Sequence, residues 1–167
     1  RLRRPQDYAL AARRLLERLE REGTRYAEIT LSAAVIMWRG QDLDATFEAI
    51  LAECEESPVE THWIMDSVRQ WGAEWAQRTA ETAARYAGKG VVGFGIGGNE
   101  QLGPVEWFDG VFRYARDHGL RLTIHAGETA GPESVRNALR LGAERIGHGI
   151  RAVDDPELMA ELRERRI

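Results

Sequence analysis

Apolar runs of strand length alternate with amphipathic helical stretches five times along this chain, and no other feature restricts its fold so tightly. Residues 6–22 place Tyr8, Ala12, Leu15, Leu16 and Leu19 at helical spacing and stop at Gly23. The run RYAEITLSAAVIM (25–37) reads as a strand buried on both faces. A helix over 42–56 follows, with Leu43, Phe47, Ile50 and Leu51 on one side and Ser57-Pro58 beyond it. VETHWIMDSV (59–68) is a second strand, 71–87 a helix bearing Trp71 and Trp75, and GVVGFGIGG (90–98) a third strand. Pro104 opens a helix that reaches His118-Gly119. LRLTIHAGE (120–128), a helix over 132–141 and ERIGHGI (144–150) continue the pattern. DDPELMAELRERR (154–166) forms the last helix, capped by Asp154 or Asp155.

Such alternation implies right-handed βαβ units and a parallel sheet. The histidines and carboxylates of interest fall at C-terminal strand ends, where an α/β barrel builds its active site and an open doubly wound sheet binds its ligands. No GxGxxG or phosphate-loop motif supports the open nucleotide-binding sheet: GFGIGGNE lies within and just after its strand and offers no basic residue to a phosphate. The fold class expected is therefore α/β, part of a (β/α)8 barrel. A whole barrel needs eight strands and roughly 250 residues. The 167 residues form one domain segment with no linker, and the expectation is that they are a piece of the barrel.

Composition narrows the partners. A net charge of -4 gives no electrostatic reason to expect nucleic acid, and the arginine-rich ends RLRR and RERR read as solvated helix faces. No apolar run approaches the ~18 residues of a membrane span, so no membrane partner is expected. Cys54 is the one cysteine, which excludes an internal disulfide or a multi-cysteine metal site and makes a reducing cytoplasm the simplest compartment.

The chemistry concentrates in LTIHAGE and RIGHGI. His125 ends a strand, where a neutral imidazole is held rigidly enough to bind a divalent metal. The Ala126-Gly127 link lets the chain turn so that Glu128 faces the same pocket, as general acid–base proton transfer requires. His148 lies between two glycines, so ligand can approach both its backbone and its ring. Other candidates have plainer readings. His62 and His118 are structural, the latter as a cation at a helix C-terminus. Trp71, Trp75 and Trp107 belong to core or interface. Glu28 is either a buried carboxylate with an arginine partner or a pocket residue, and Asp154-Asp155 is a helix cap.

LTIHAGE followed by RIGHGI resembles the adenosine deaminase family of metal-dependent barrels. RYAEITLS resembles that family's second-strand segment, VVGFGIGGNE its fourth and LGAERIGHGI its sixth, so the likeness runs through nearly the whole chain. The resemblance implies one zinc ion with His125 as a ligand, Glu128 donating a proton to the ring nitrogen beside the attacked carbon, and His148 orienting the attacking water. It further implies that the backbone N–H of Gly98 binds a purine nitrogen. The implied reaction is hydrolytic removal of the 6-amino group of a small-molecule purine nucleoside. Adenosine is the default substrate; aminodeoxyfutalosine and free adenine are the alternatives, and a catalytically silent barrel scaffold is the alternative of a different class.

Two family features are missing. No His-x-His pair supplies further metal ligands, and the DDP of AVDDPE follows directly on the GHG strand, where it starts a helix. The expectation is therefore that this chain forms strands two to six, with the remaining ligands outside residues 1–167.

Overall fold

Helix α1 (Pro5–Arg21) leads into strand β1 (Tyr26–Leu31), and a short helix α2 (Ala33–Trp38) and helix α3 (Leu43–Glu55) return the chain to β2 (Glu60–Val68). Helix α4 (Ala73–Arg85) connects to β3 (Val91–Gly97), α5 (Asp109–Asp117) to β4 (Arg121–Ala126), and α6 (Pro132–Arg140) to β5 (Arg145–His148). Helix α7 (Pro156–Arg165) follows a 3-10 turn over Ile150–Asp154. The computed structural model describes residues 2–167; Arg1, the first residue of RLRR, lies outside them.

The five strands are parallel and lie in chain order, β1-β2-β3-β4-β5. Each side chain's face follows from strand periodicity and register. Trp63 and Met65 of β2, Phe94 and Ile96 of β3, and Leu122 and Ile124 of β4 point to one side and are buried. That face is covered by helices, with Phe47 of α3 edge-on to Trp63 and Phe112 of α5 against Phe94. The opposite face carries Glu28, His62, Ile64, Asp66, Arg121, Thr123, His125 and Arg145, with Gly93, Gly95 and Gly97 of β3 between them.

This second face is concave. Arg145 of β5 donates to Glu28 of β1 at 3.1 Å, so side chains from the two edges of a five-stranded sheet meet in front of its middle. The arginine-partner reading of Glu28 thus holds. The glycines of β3 explain how neighbours can crowd there: a Cβ at Gly93 would stand 3.1 Å from the Arg121 carbonyl, and one at Gly95 would stand 3.2 Å from that of Thr123. The sheet is a curled half-barrel with helices outside, as the strand–helix alternation implied.

Four sequence expectations need correction. The apolar run 25–37 is not one strand: it breaks at Ser32, whose carbonyl accepts from Val35 N–H at 3.0 Å and starts α2. The helix expected from 71 begins at Ala73 after a 3-10 turn over Arg69–Trp71, and Pro104 precedes a 3-10 turn, Val105–Phe108, before α5. Of the core-or-interface reading for the tryptophans, the 61% exposure of Trp107 on that turn leaves the interface half, whereas Trp71 stacks on Trp38. Residues 2–4 of the RLRR end precede α1 and are not a helix face; the backbone amides of Arg3 and Arg4 donate to Asp7. The last helix starts as expected, with Asp155 accepting from Leu158 N–H at 3.0 Å.

Candidate active site

His125 ends β4 in a slot cut by two glycines. Its neighbours across the sheet are Gly147 of β5, its register partner, and Gly97 of β3. A Cβ at Gly147 would lie 2.7 Å from Cδ2 and 3.1 Å from Cγ of the imidazole, and one at Gly97 would lie 3.4 Å from Nδ1. No residue larger than glycine leaves the ring where it is at position 147. Burial, with help from nearby His148 and Arg69, holds the His125 imidazole below its ordinary pKa, so the ring is neutral near pH 7 and has a lone pair to offer.

Beyond His125 the chain reverses at Gly127, whose φ of 69° belongs to the left-handed region, and a Cβ there would meet Val135 of α6 at 2.7 Å. The next residue, Glu128, is exposed on the loop. The turn after β5 is tied to this one: Gly149 N–H donates to Ala126 O at 3.0 Å and Arg151 N–H to Gly127 O at 2.9 Å. These bonds bring His148 over the same spot, with its own φ at 66°, a strained setting for a non-glycine residue. The His125 and His148 rings lie 4.9 Å apart, edge to face, and His148 Nε2 is 3.3 Å from Glu128 Oε2. Three of the four sequence candidates therefore converge at the C-terminal ends of adjacent strands. The fourth, Gly98, follows Gly97 directly, has a φ of 100°, and packs against Gln70, whose Oε1 accepts from Asn99 N–H at 3.1 Å.

Metal chemistry can be judged on the donors present. The neutral, slotted imidazole of His125 fits as one ligand. Among the described residues no group of three or more His, Cys, Asp or Glu could hold an ion. His62 and His118 take plain partners, Glu60 Oε1 at 3.1 Å and Tyr114 O at 2.8 Å, as a structural reading requires.

Three residues at the site went unread in the sequence. Glu100, in the loop after β3, accepts from the amides of Gly127, Glu128 and Thr129, each at 2.8 Å. Arg69, buried after β2, donates to the carbonyls of His125 and of Gly103. Asp66, on the concave face beside Gly97, is pushed up to about 6 by burial, only partly offset by the Ser32 hydroxyl, and one of its oxygens has no partner. The available signal for Asp66 and Arg69 was a pair of opposite charges between apolar residues in WIMDSVRQW, since a buried charge demands a partner.

A family model described as adenosine deaminase matches residues 1–167. An aminodeoxyfutalosine deaminase of Streptomyces avermitilis is 40% identical over 174 residues, covering 99% of this chain and 48% of that protein. An adenine deaminase of Mesorhizobium japonicum is 36% identical over 167 residues, covering 97% of this chain and 52% of that protein. An amidohydrolase from Burkholderia ambifaria, solved with bound Zn, superposes with a TM-score of 0.92 at 28% identity, over 98% of this chain and 47% of that one. The chain spans about half the length of each of these relatives.

Proposed function

This chain belongs to the adenosine deaminase family, and from that premise we propose that its half-barrel supplies the proton-transfer machinery of a metal-dependent hydrolytic deaminase acting on an adenine ring. The observation that carries the reading is the convergence of a carboxylate and two imidazoles, Glu128, His148 and His125, at the ends of β4 and β5.

Within this proposal His125 is one ligand of a zinc ion, and the remaining ligands come from outside the described residues. Bound there, zinc would supply Lewis-acid activation of water. The Zn-bound neighbour and the donor chemistry of His125 favour that metal. His148 accepts a hydrogen bond from the attacking water and orients it toward the carbon bearing the amino group. Glu128, 3.3 Å from His148, takes one proton of the water and delivers it to the ring nitrogen beside that carbon; the remaining hydroxyl proton passes to the amino group, so that the C–N bond breaks, ammonia leaves and the ring carbonyl forms. The backbone N–H of Gly98, beside the His125 slot, donates to a purine nitrogen and sets the ring's orientation. Neither Glu128 nor His148 is sealed from solvent in the half-barrel, and the opposing strands of a whole barrel would exclude water there.

Adenosine, which the sequence motifs imply, shares its ring with adenine and aminodeoxyfutalosine, the substrates in the relatives' names. Deamination of that shared ring is the reading advanced. The test is a panel of the three compounds with the full-length, zinc-loaded protein, following loss of the adenine chromophore and release of ammonia. Turnover of at least one is expected. No turnover of any would overturn the reading and leave the silent scaffold.

A further inference from the structure

We propose that Glu100 is a positioning residue whose carboxylate gathers the loop after β4 and so fixes where Glu128 stands; this rests on the reading of Glu128 as the proton carrier. Glu100 is only 6% exposed and lies 27 to 30 residues before its partners. Its two oxygens accept from four consecutive backbone amides: Gly127, Glu128 and Thr129 at 2.8 Å and Ala130 at 3.4 Å. The Ser134 hydroxyl, in the first turn of α6, is a fifth donor.

Five donors fill the roughly four lone-pair positions of a carboxylate, leaving none to receive a proton from substrate or water. Burial alone would raise the Glu100 pKa; the Ser134 hydroxyl and the amides outweigh it and bring it down to about 2. Glu100 is thus a permanent anion, chemically idle, placed where it can only hold backbone. Glu128 offers the contrast: its side chain is 43% exposed, and His148 is the ionisable group beside it.

The other side of the same segment is held by opposite charge. Arg69 donates to the His125 carbonyl, two residues before the first amide that Glu100 takes. The cation holds a carbonyl and the anion holds amides, so each charge meets the backbone group of complementary polarity across residues 125–130. Glutamine at position 100 would keep one acceptor and turn an NH2 donor toward amide donors, so the loop would shift without the fold losing an apolar contact. His125 should be little affected, because its ring is held between strands by Gly97 and Gly147.

The test uses the full-length protein, with sites counted by bound zinc. Glu100→Gln is expected to keep its zinc and a nearly unchanged KM while kcat falls by about 10²-fold, the scale of a displacement near 1 Å. A kcat per bound zinc within about twofold of the parent, or zinc lost together with activity, would overturn the proposal. If Glu100→Gln does not fold, Ser134→Ala removes one donor of five and should lower kcat about fivefold at constant KM, the worth of one hydrogen bond; an unchanged kcat counts against the proposal. Hydrogen exchange of the parent judges the anchor separately from the chemistry. Amides 127–130 should be strongly protected although Glu128 and Thr129 are exposed, and exchange at open-loop rates would refute the anchor even in an active enzyme. A parent inactive on every substrate but protected at these amides would instead strike the function and spare the anchor.

Discussion

At the N-terminal end of the concave face Glu28 of β1 and Arg145 of β5 close on each other, with the Tyr26 hydroxyl donating to Glu28 at 2.6 Å. At the C-terminal end, one strand-length away, Glu128 faces His148 at 3.3 Å and His125 keeps a neutral ring. Both ends hold a carboxylate near nitrogen-bearing side chains, the Arg145 guanidinium at the first and imidazoles at the second. At the first the charges satisfy each other, which ties the two edge strands together. At the second the side chains of Glu128 and His148 meet each other and no arginine, on turns fixed by glycines and by backbone hydrogen bonds. In barrels of this kind the first end serves stability and the second chemistry, and the proposed function assigns the two ends of this face in the same way.

The comparison breaks most sharply at Gly147. Gly147→Ala drives a methyl group into the His125 ring, so bound metal should be lost and kcat should fall by at least ~10²-fold. Gly110→Ala, where an added Cβ meets nothing within 4 Å, should leave both unchanged. Metal analysis and turnover of the two variants decide whether the slot is needed.

Between the two ends lies Asp66, whose raised pKa of about 6 makes the comparison pH-dependent. The unfolded chain gives up this proton near the ordinary aspartate value, so the folded state holds it over a higher range. Stability from this group is therefore present below about pH 4 and lost as pH rises through about 6, to an extent on the order of 2–3 kcal/mol. Glu100 runs the other way: its folded pKa near 2 gives stability present above the ordinary glutamate range and lost as pH falls toward 2. Asp66→Asn should abolish the decline between pH 4 and 6 in denaturant titrations and spare the loss at lower pH. A variant that keeps the upper decline would remove Asp66 from the account.

The N-terminal end should show the smallest effect, and only on stability. Arg145→Ala leaves Glu28 without its cation across the sheet and should cost on the order of 1 kcal/mol, because the arginine is more than half exposed. Its kcat should match the parent's. A large fall in kcat would mean that the ends are not divided as described.

How much of this was legible beforehand depends on the distance over which each feature is encoded. Hydrophobic periodicity is local, so the five strands and every helix but α2 could be placed among the described residues, and the HAGE and GHG segments singled out His125, Glu128 and His148 as candidates. The break at Ser32 was hidden because a continuous apolar run fits a strand and a buried helix equally well. The partners of Glu100 lie 27 to 34 residues away, and Glu28 meets Arg145 over 117. No local pattern specifies such pairings; they follow from the curl of the sheet, which β3's stripe of glycines permits.

The division of labour between the two ends is tested most directly by one pair of carboxylate replacements, Glu128→Gln and Glu28→Gln, assayed together in the full-length protein with sites counted by bound zinc. Glu128→Gln is expected to keep its zinc and to lose on the order of 10²–10⁴-fold in kcat, the usual cost of removing a general acid–base. Glu28→Gln should lose thermal stability and keep its turnover. Full activity in Glu128→Gln would contradict the account, whatever Glu28→Gln did.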